Sequence, residues 1–184
     1  MTGRTDHSGG AATGQSASGP LDRETLKRER RELLLFKAGS RLLCVPADEA
    51  HSAVEWREPT PLPRAPQAVL GIVSIRGRMF TVLDSQALVG EQIADTEHGS
   101  IARPAYSFII PLRGDEQLAL ASDNAPRAIE IYTDEIESSP GPEGRLKVLR
   151  GIIRDEHQEE MALLNLQEIF NVAMQGVDRR RRRF

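Results

Sequence analysis

Four histidines are the first candidates for chemistry: His7, His51, His98 and His157. None lies three or four residues from another, so no helix presents a two-histidine metal face. His157 stands among Asp155, Glu156, Glu159 and Glu160, a cluster that reads as a solvated acidic turn. The single cysteine, Cys44, excludes an internal disulfide and a paired-cysteine zinc site. It falls within an apolar run, where a buried thiol is inert rather than nucleophilic. Asp84 follows another apolar run and has no second carboxylate at a defined spacing. A hydrolase would have to pair it with His51; the plainer reading is a cap for a short helix. No phosphate-cradling glycine loop or nucleophile elbow occurs. No enzyme, metal or cofactor is therefore expected.

The other chemistry-bearing feature is the run of five arginines at 179–183, followed by Phe184. The 184-residue chain has 24 Lys+Arg against 27 Asp+Glu, a net charge of −3. Without those five arginines, 19 basic residues face 27 acidic ones, so an acidic body of −8 carries a basic end. Such a body does not bind nucleic acid with its whole surface, because phosphate contacts require excess positive charge. An aromatic content of 4% also argues against a base-stacking face. A small-barrel nucleic-acid-binding protein using the Arg-rich tail is the alternative function. A membrane-surface anchor is the third reading, at roughly 1 kcal/mol per basic residue. A charge block of this kind ordinarily stays solvated.

These residues need elements to position them. Residues 1–20 are rich in Gly, Ala, Ser and Thr and read as a flexible tail. Residues 21–32 pair Glu24 with Arg28 and Arg28 with Glu32 at i,i+4, which suggests a short charged helix or linker. The folded domain is expected over 33–173, with 174–184 as a basic tail. Residues 33–36 and 42–45 are apolar runs around a glycine turn, a β-hairpin ending at Pro46. Prolines 59, 61, 63 and 66 make an extended loop. Residues 69–75 and 79–83 form a second hairpin around Arg76-Gly77-Arg78, with a very short helix from Asp84 to Leu88. Residues 90–103 read as a loop. Strands follow at 106–112, 117–121 and 127–131, then a loop at 140–142. A third hairpin (148–153 and 160–164) turns at Asp155-Glu156, and a last helix runs from Leu166 to about Ala173, capped by Asn165. Many short strands with frequent turns indicate a mainly β chain of small barrels or sandwiches, and the two halves resemble each other loosely, hinting at two subdomains. The N-terminus lacks a signal-peptide pattern, and no apolar run approaches the roughly 20 residues of a membrane span. A soluble cytoplasmic protein is expected.

Within this frame, residues 62–84 resemble the signature of CheW-like domains. Leu62-Pro63, Gly71, Ile75-Arg76-Gly77 and Leu83-Asp84 stand where that family has Leu-Pro, a strand glycine, Leu-Arg-Gly and a closing Val-Asp-Leu. The resemblance extends from about Leu33 to Asn171. It implies two intertwined five-stranded SH3-like β-barrel subdomains sharing a core, with short helices. It further implies a non-catalytic adaptor that couples chemoreceptors to a CheA-type histidine kinase in chemosensory signal transduction. Its partners would be the kinase regulatory domain and the receptor's cytoplasmic tip. The adaptor would sit in the cytoplasm at receptor arrays and meet the membrane only through receptors; no nucleic acid is expected.

The pattern departs from the family at several places. Pro46-Ala47-Asp48-Glu49-Ala50-His51-Ser52-Ala53 replaces a stretch with bulkier apolar residues, shortened here to Ala50 and Ala53, and Ser52 replaces a glutamate. Ser74 replaces an asparagine, Thr81 a proline, and Ser122-Asp123 a Val-Asp. A partner-binding groove is expected to be lined by Ala50, Ala53, Val69, Ile72 and Ser74, with Gly71 and Arg76 in the binding set, and substituting Gly71 by Asp is expected to abolish binding without loss of the fold. Gly77 and Asp84 are structural: Gly77 supplies φ > 0 in the turn, and Gly71 a bend or close approach. Arg76 has two open roles, a local pair with Asp84 or a partner contact.

Overall fold

The computed structural model describes residues 29–90, 106–137, 148–154 and 158–178. The first helix-or-linker segment up to residue 28, the loop at 91–105, the Pro-Gly-Pro loop, the Asp155–Glu156 turn with His157, and the arginine run lie outside them.

Four antiparallel hairpins form where apolar runs flank turn residues. They are β1 (Arg30–Ala38) with β2 (Arg41–Pro46), β4 (Val69–Ile75) with β5 (Arg78–Leu83), β6 (Phe108–Pro111) with β7 (Leu118–Ser122), and β9 (Leu149–Arg154) with β10 (Glu160–Leu164). Two further strands, β3 (Val54–Glu55) and β8 (Arg127–Tyr132), follow the first and third hairpins. Helix α1 (Ser85–Leu88) follows β5, and α2 (Leu166–Asp178) follows β10.

The strands form two five-stranded sheets, ordered β8-β1-β2-β10-β9 and β3-β6-β7-β5-β4. In each, a parallel pair, β2 with β10 and β7 with β5, joins a hairpin to strands from the other half of the chain. The first half therefore gives its hairpin β1-β2 to one sheet and β3, β4 and β5 to the other. The second half does the reverse. The two subdomains are thus not the two halves of the sequence, as loose similarity suggested; they are interlocked, and the halves are structural repeats. Single bridges tie each sheet's edges together: Thr60, after β3, pairs with Ile72 of β4, and Glu137, after β8, pairs with Ile152 of β9.

Alternation along the strands sorts the apolar residues into three clusters. Leu33, Leu35, Cys44, Ile131, Ile153, Met161 and Leu163 fill one sheet's own interior. Val73, Ile75, Phe80, Val82, Ile109, Ala119 and Ala121 fill the other's. Phe36, Leu43 and Val45 from the first sheet meet Leu83, Ile110 and Leu120 from the second, with Ile169 of α2, in a shared core.

Three sequence expectations shift. β1 begins at Arg30, not at Leu33, because Arg30 to Leu35 pair across to β8, with Arg30 Nη1 3.4 Å from Glu130 Oε2. Residues 30–32 are accordingly strand rather than charged helix. Helix α2 runs on to Asp178, five residues past the expected end. β3, only two residues long, was not foreseen; a segment that short carries no alternation to read.

Candidate partner-binding surface

Most expected site residues do not share one face. Ala50 is 5% exposed and belongs to the shared core. Its backbone bridges Leu112, and its carbonyl accepts from Arg113 Nε at 2.9 Å. Ala53 and Val69 are half-buried against the same core. The shortened side chains at 50 and 53 thus fit a crossover packed against the β6–β7 turn, rather than paring down an exposed groove. Gly71 is also buried. It sits at a register shift in β4 with φ +148°, where a Cβ would overlap the Thr60 carbonyl oxygen and stand 2.7 Å from its carbon. Gly71→Asp therefore perturbs the fold and is not a clean probe of binding.

Ile72 and Ser74 do share a surface. Ser74 pairs with Met79 and Ile72 with Thr81, so all four lie on the outer face of the β4–β5 hairpin. Phe80 and Val82 point inward, which turns Met79 outward, 54% exposed; Leu62 in the proline-rich loop is 40% exposed. These are the exposed large apolar side chains among the described residues. Neither was among the expected binding residues, although an apolar Met79 at a polar position of an alternating strand was a readable signal.

The repeat supplies an internal control. Ile152, Arg154, Glu160 and Ala162 occupy the equivalent face of the β9–β10 hairpin, as the registers show. There Arg154 Nη1 lies 2.6 Å from Glu137 and Nη2 2.8 Å from Glu160. Of two equivalent faces, one is covered by an ion-pair cluster and the other leaves Met79 beside Ser74 and Ile72. The β4–β5 face thus presents an exposed methionine and a half-buried isoleucine among polar neighbours.

Arg76 and Gly77 form the two-residue turn of that hairpin, with φ +51° and +80°, the pair of positive values a tight primed turn requires. Asp84 follows the opposite end of β5, about 20 Å away along six residues. Arg76 thus makes no pair with Asp84. Asp84 instead caps α1: its Oδ1 accepts from Ala87 N–H at 2.9 Å and from the Tyr106 hydroxyl at 2.5 Å. Asn165 repeats the cap on α2, its Oδ1 accepting from Glu168 N–H at 3.4 Å. An Asp84–His51 catalytic pair is dismissed. Asp84 Oδ1 is taken by the Ala87 N–H and the Tyr106 hydroxyl, while His51 lies beside β6, its N–H donating to the Pro111 carbonyl, with β6 and β7 between it and β5 in the sheet order.

Two buried groups make stability fall in alkali. Burial pushes the Cys44 thiol up to about 12. Burial, and next the hydrogen bond to Asp84, raise the Tyr106 hydroxyl. Both folded values exceed the unfolded ones, so the stability they confer is complete below the unfolded thiol value of about 8.5. It is lost as pH climbs, for the thiol at up to about 1.4 kcal/mol per pH unit until about pH 12. Urea unfolding at pH 8, 9 and 10 should show this decline, and Cys44→Ala should flatten it. An unchanged slope in that variant would contradict the assignment.

Among the described residues no cluster of metal-binding side chains occurs, and no helix is long and apolar enough to cross a membrane. Residues 32–174 match the family model described as the CheW-like domain. A stretch of 87 residues, 46% of the chain, is 34% identical to "Chemotaxis protein CheW" of Rhizobium meliloti and covers 56% of it. The chain spans about half the length of that relative and of the "Probable chemotaxis protein CheW" of Rhizobium etli, which is 29% identical with 46% covered. "Protein FrzA" of Myxococcus xanthus is 24% identical over 80% of the chain and 90% of its own length. The crystal structure of the scaffolding protein TtCheW from Thermoanaerobacter tengcongensis superposes with a TM-score of 0.61, at 20% identity, over 75% of this chain and 86% of that one.

Proposed function

Since the chain belongs to the CheW-like domain family, we propose that it is a non-catalytic adaptor coupling chemoreceptors to a CheA-type histidine kinase in chemosensory signalling. The observation that carries this reading is the family match over 32–174. The uncovered face of the β4–β5 hairpin supports it, because a scaffold acts through surfaces rather than through a reacting centre. We read each sheet as an SH3-like barrel closed by its single bridge, Thr60 to Ile72 or Glu137 to Ile152. The docking residues are Ile72, Ser74, Met79 and Thr81, with Leu62 at the rim. The kinase regulatory domain and the receptor tip are the partners, and receptor arrays in the cytoplasm are the place of action.

The test is co-elution of the full chain with a purified kinase regulatory domain or receptor tip at tens of micromolar. Met79→Asp puts a charge on that face without touching any of the three apolar clusters. It should weaken the complex at least tenfold, a loss of about 1.4 kcal/mol or more, at an unchanged unfolding midpoint. Failure of both partners to co-elute would sink the adaptor reading; full binding by Met79→Asp would move the surface elsewhere.

A further inference from the structure

We propose that the groove between the β6–β7 turn and α2 is the docking site for this chain's own segment 179–184, with Phe184 on its apolar floor and the arginines along its acidic rim. The groove has a volume of about 230 Å³. Leu112, Leu118, Leu166 and Phe170 line its floor, and Glu49 and Glu116 its rim. Asp48 and Asp115 stand next to those carboxylates in the same turns. The one guanidinium lining it, Arg113, already donates through Nε to the Ala50 carbonyl at 2.9 Å. Gln117 and Gln167 complete the lining, so the groove sets apolar side chains under a polar rim of excess negative charge, and it is separate from the β4–β5 hairpin face.

The segment's chemistry answers that groove. Five consecutive arginines and one phenylalanine follow Asp178, on a body that is otherwise acidic. Guanidinium groups form two-pronged hydrogen bonds with carboxylates, and the ring takes the apolar floor. The reach is sufficient. α2 carries the chain from Phe170 to Asp178, about 12 Å of helix. The six residues beyond Asp178 span up to about 20 Å when extended, so they can turn back to the groove. Because they are tethered, their effective concentration at the groove is of millimolar order, which favours them over a second copy.

The proposal does not rest on the adaptor reading. Its test is a nitroxide label on Arg181→Cys in the full chain; buried Cys44 remains unlabelled. The methyl signals of Leu112, Leu118 and Leu166 should broaden, independently of protein concentration. The exposed double variant Glu49→Lys/Glu116→Lys should remove the broadening with the unfolding midpoint retained. A synthetic peptide of residues 179–184 should bind a chain lacking that segment at least tenfold more tightly than the intact chain. The proposal is overturned by absent broadening, by equal peptide affinity, or by broadening that appears only when labelled and unlabelled chains are mixed, which would assign the groove to a second copy.

Discussion

Gly71→Ala should destabilise the protein by about 3 kcal/mol or more, combining the strain of a positive backbone φ with steric overlap. The position combines two demands. Its φ is +148°, and the space where a Cβ would go is taken by the Thr60 backbone, with Pro59 Cβ 3.1 Å away. Neither obstacle is a flexible side-chain tip. Relief would have to come from moving the strap that bridges β3 to β4, and that strap is held by reciprocal hydrogen bonds, Thr60 N to Ile72 O at 2.8 Å and Ile72 N to Thr60 O at 2.9 Å. The repeat gives a graded series. At Gly151 a Cβ would stand 2.7 Å from Ile136 Cγ2 and 2.9 Å from the Glu137 carbonyl oxygen. Gly151→Ala should therefore cost about 1–3 kcal/mol, as overpacking does. Gly77 has φ +80° and nothing within 4 Å, so Gly77→Ala should cost only the left-handed backbone penalty, about 1–2 kcal/mol. Urea midpoints should fall in that order. Equal losses at Gly71 and Gly77 would mean that the Thr60 strap does not clamp β4. Against a total stability of about 5–15 kcal/mol, the Gly71 variant is compromised as a whole, and its loss of a partner would report folding.

Phe36→Ala should cost about 3–5 kcal/mol, the range for deleting a buried aromatic ring, and it should do so without uncoupling the two sheets. Phe36 is 1% exposed and sits in the shared core with residues of both sheets. The single tryptophan and the single cysteine make coupling measurable. Trp56 packs against Tyr106 with the rings tilted by 40° and their centroids 5.3 Å apart, beside one sheet's own interior. Cys44 is buried in the other's. Fluorescence and thiol reactivity should trace one coincident transition in the wild type, and in Phe36→Ala at a lower midpoint. Separate transitions in the wild type would show that the shared core does not bind the subdomains into one cooperative unit.

The hairpins were legible in the sequence because each is a local event: an apolar run, a turn residue, a return run. The Asp84 cap was legible for the same reason, since Ala87 is only three residues away. What escaped was non-local. β1 extends to Arg30 only because β8, about a hundred residues later, lies beside it. The parallel joins of β2 to β10 and β7 to β5 leave no mark in local pattern. Ala50 looked like a thinned surface because its covering residue, Leu112, comes from the other half of the chain. The family resemblance, carried by Gly71, Ile75-Arg76-Gly77 and Asp84, located a hairpin of interest. It did not say which side of that hairpin faces out; the register that turns Met79 to solvent did.

The exchange of hairpins between the halves also sets a timetable for synthesis. β1 and β2 leave the ribosome early, but their sheet stays incomplete until β8, β9 and β10 have been made, about a hundred residues later. At roughly 5–20 residues per second, that interval lasts about 5–20 seconds. Throughout it the nascent hairpin carries Leu33, Leu35 and Phe36 with neither of the cores they are destined for. Pairings so distant in sequence also slow folding after release, because loop closure precedes any gain from contact. The same interlock that joins the two sheets through a shared core therefore leaves the early hairpin's apolar residues uncovered for that interval, the kind of exposure that favours aggregation.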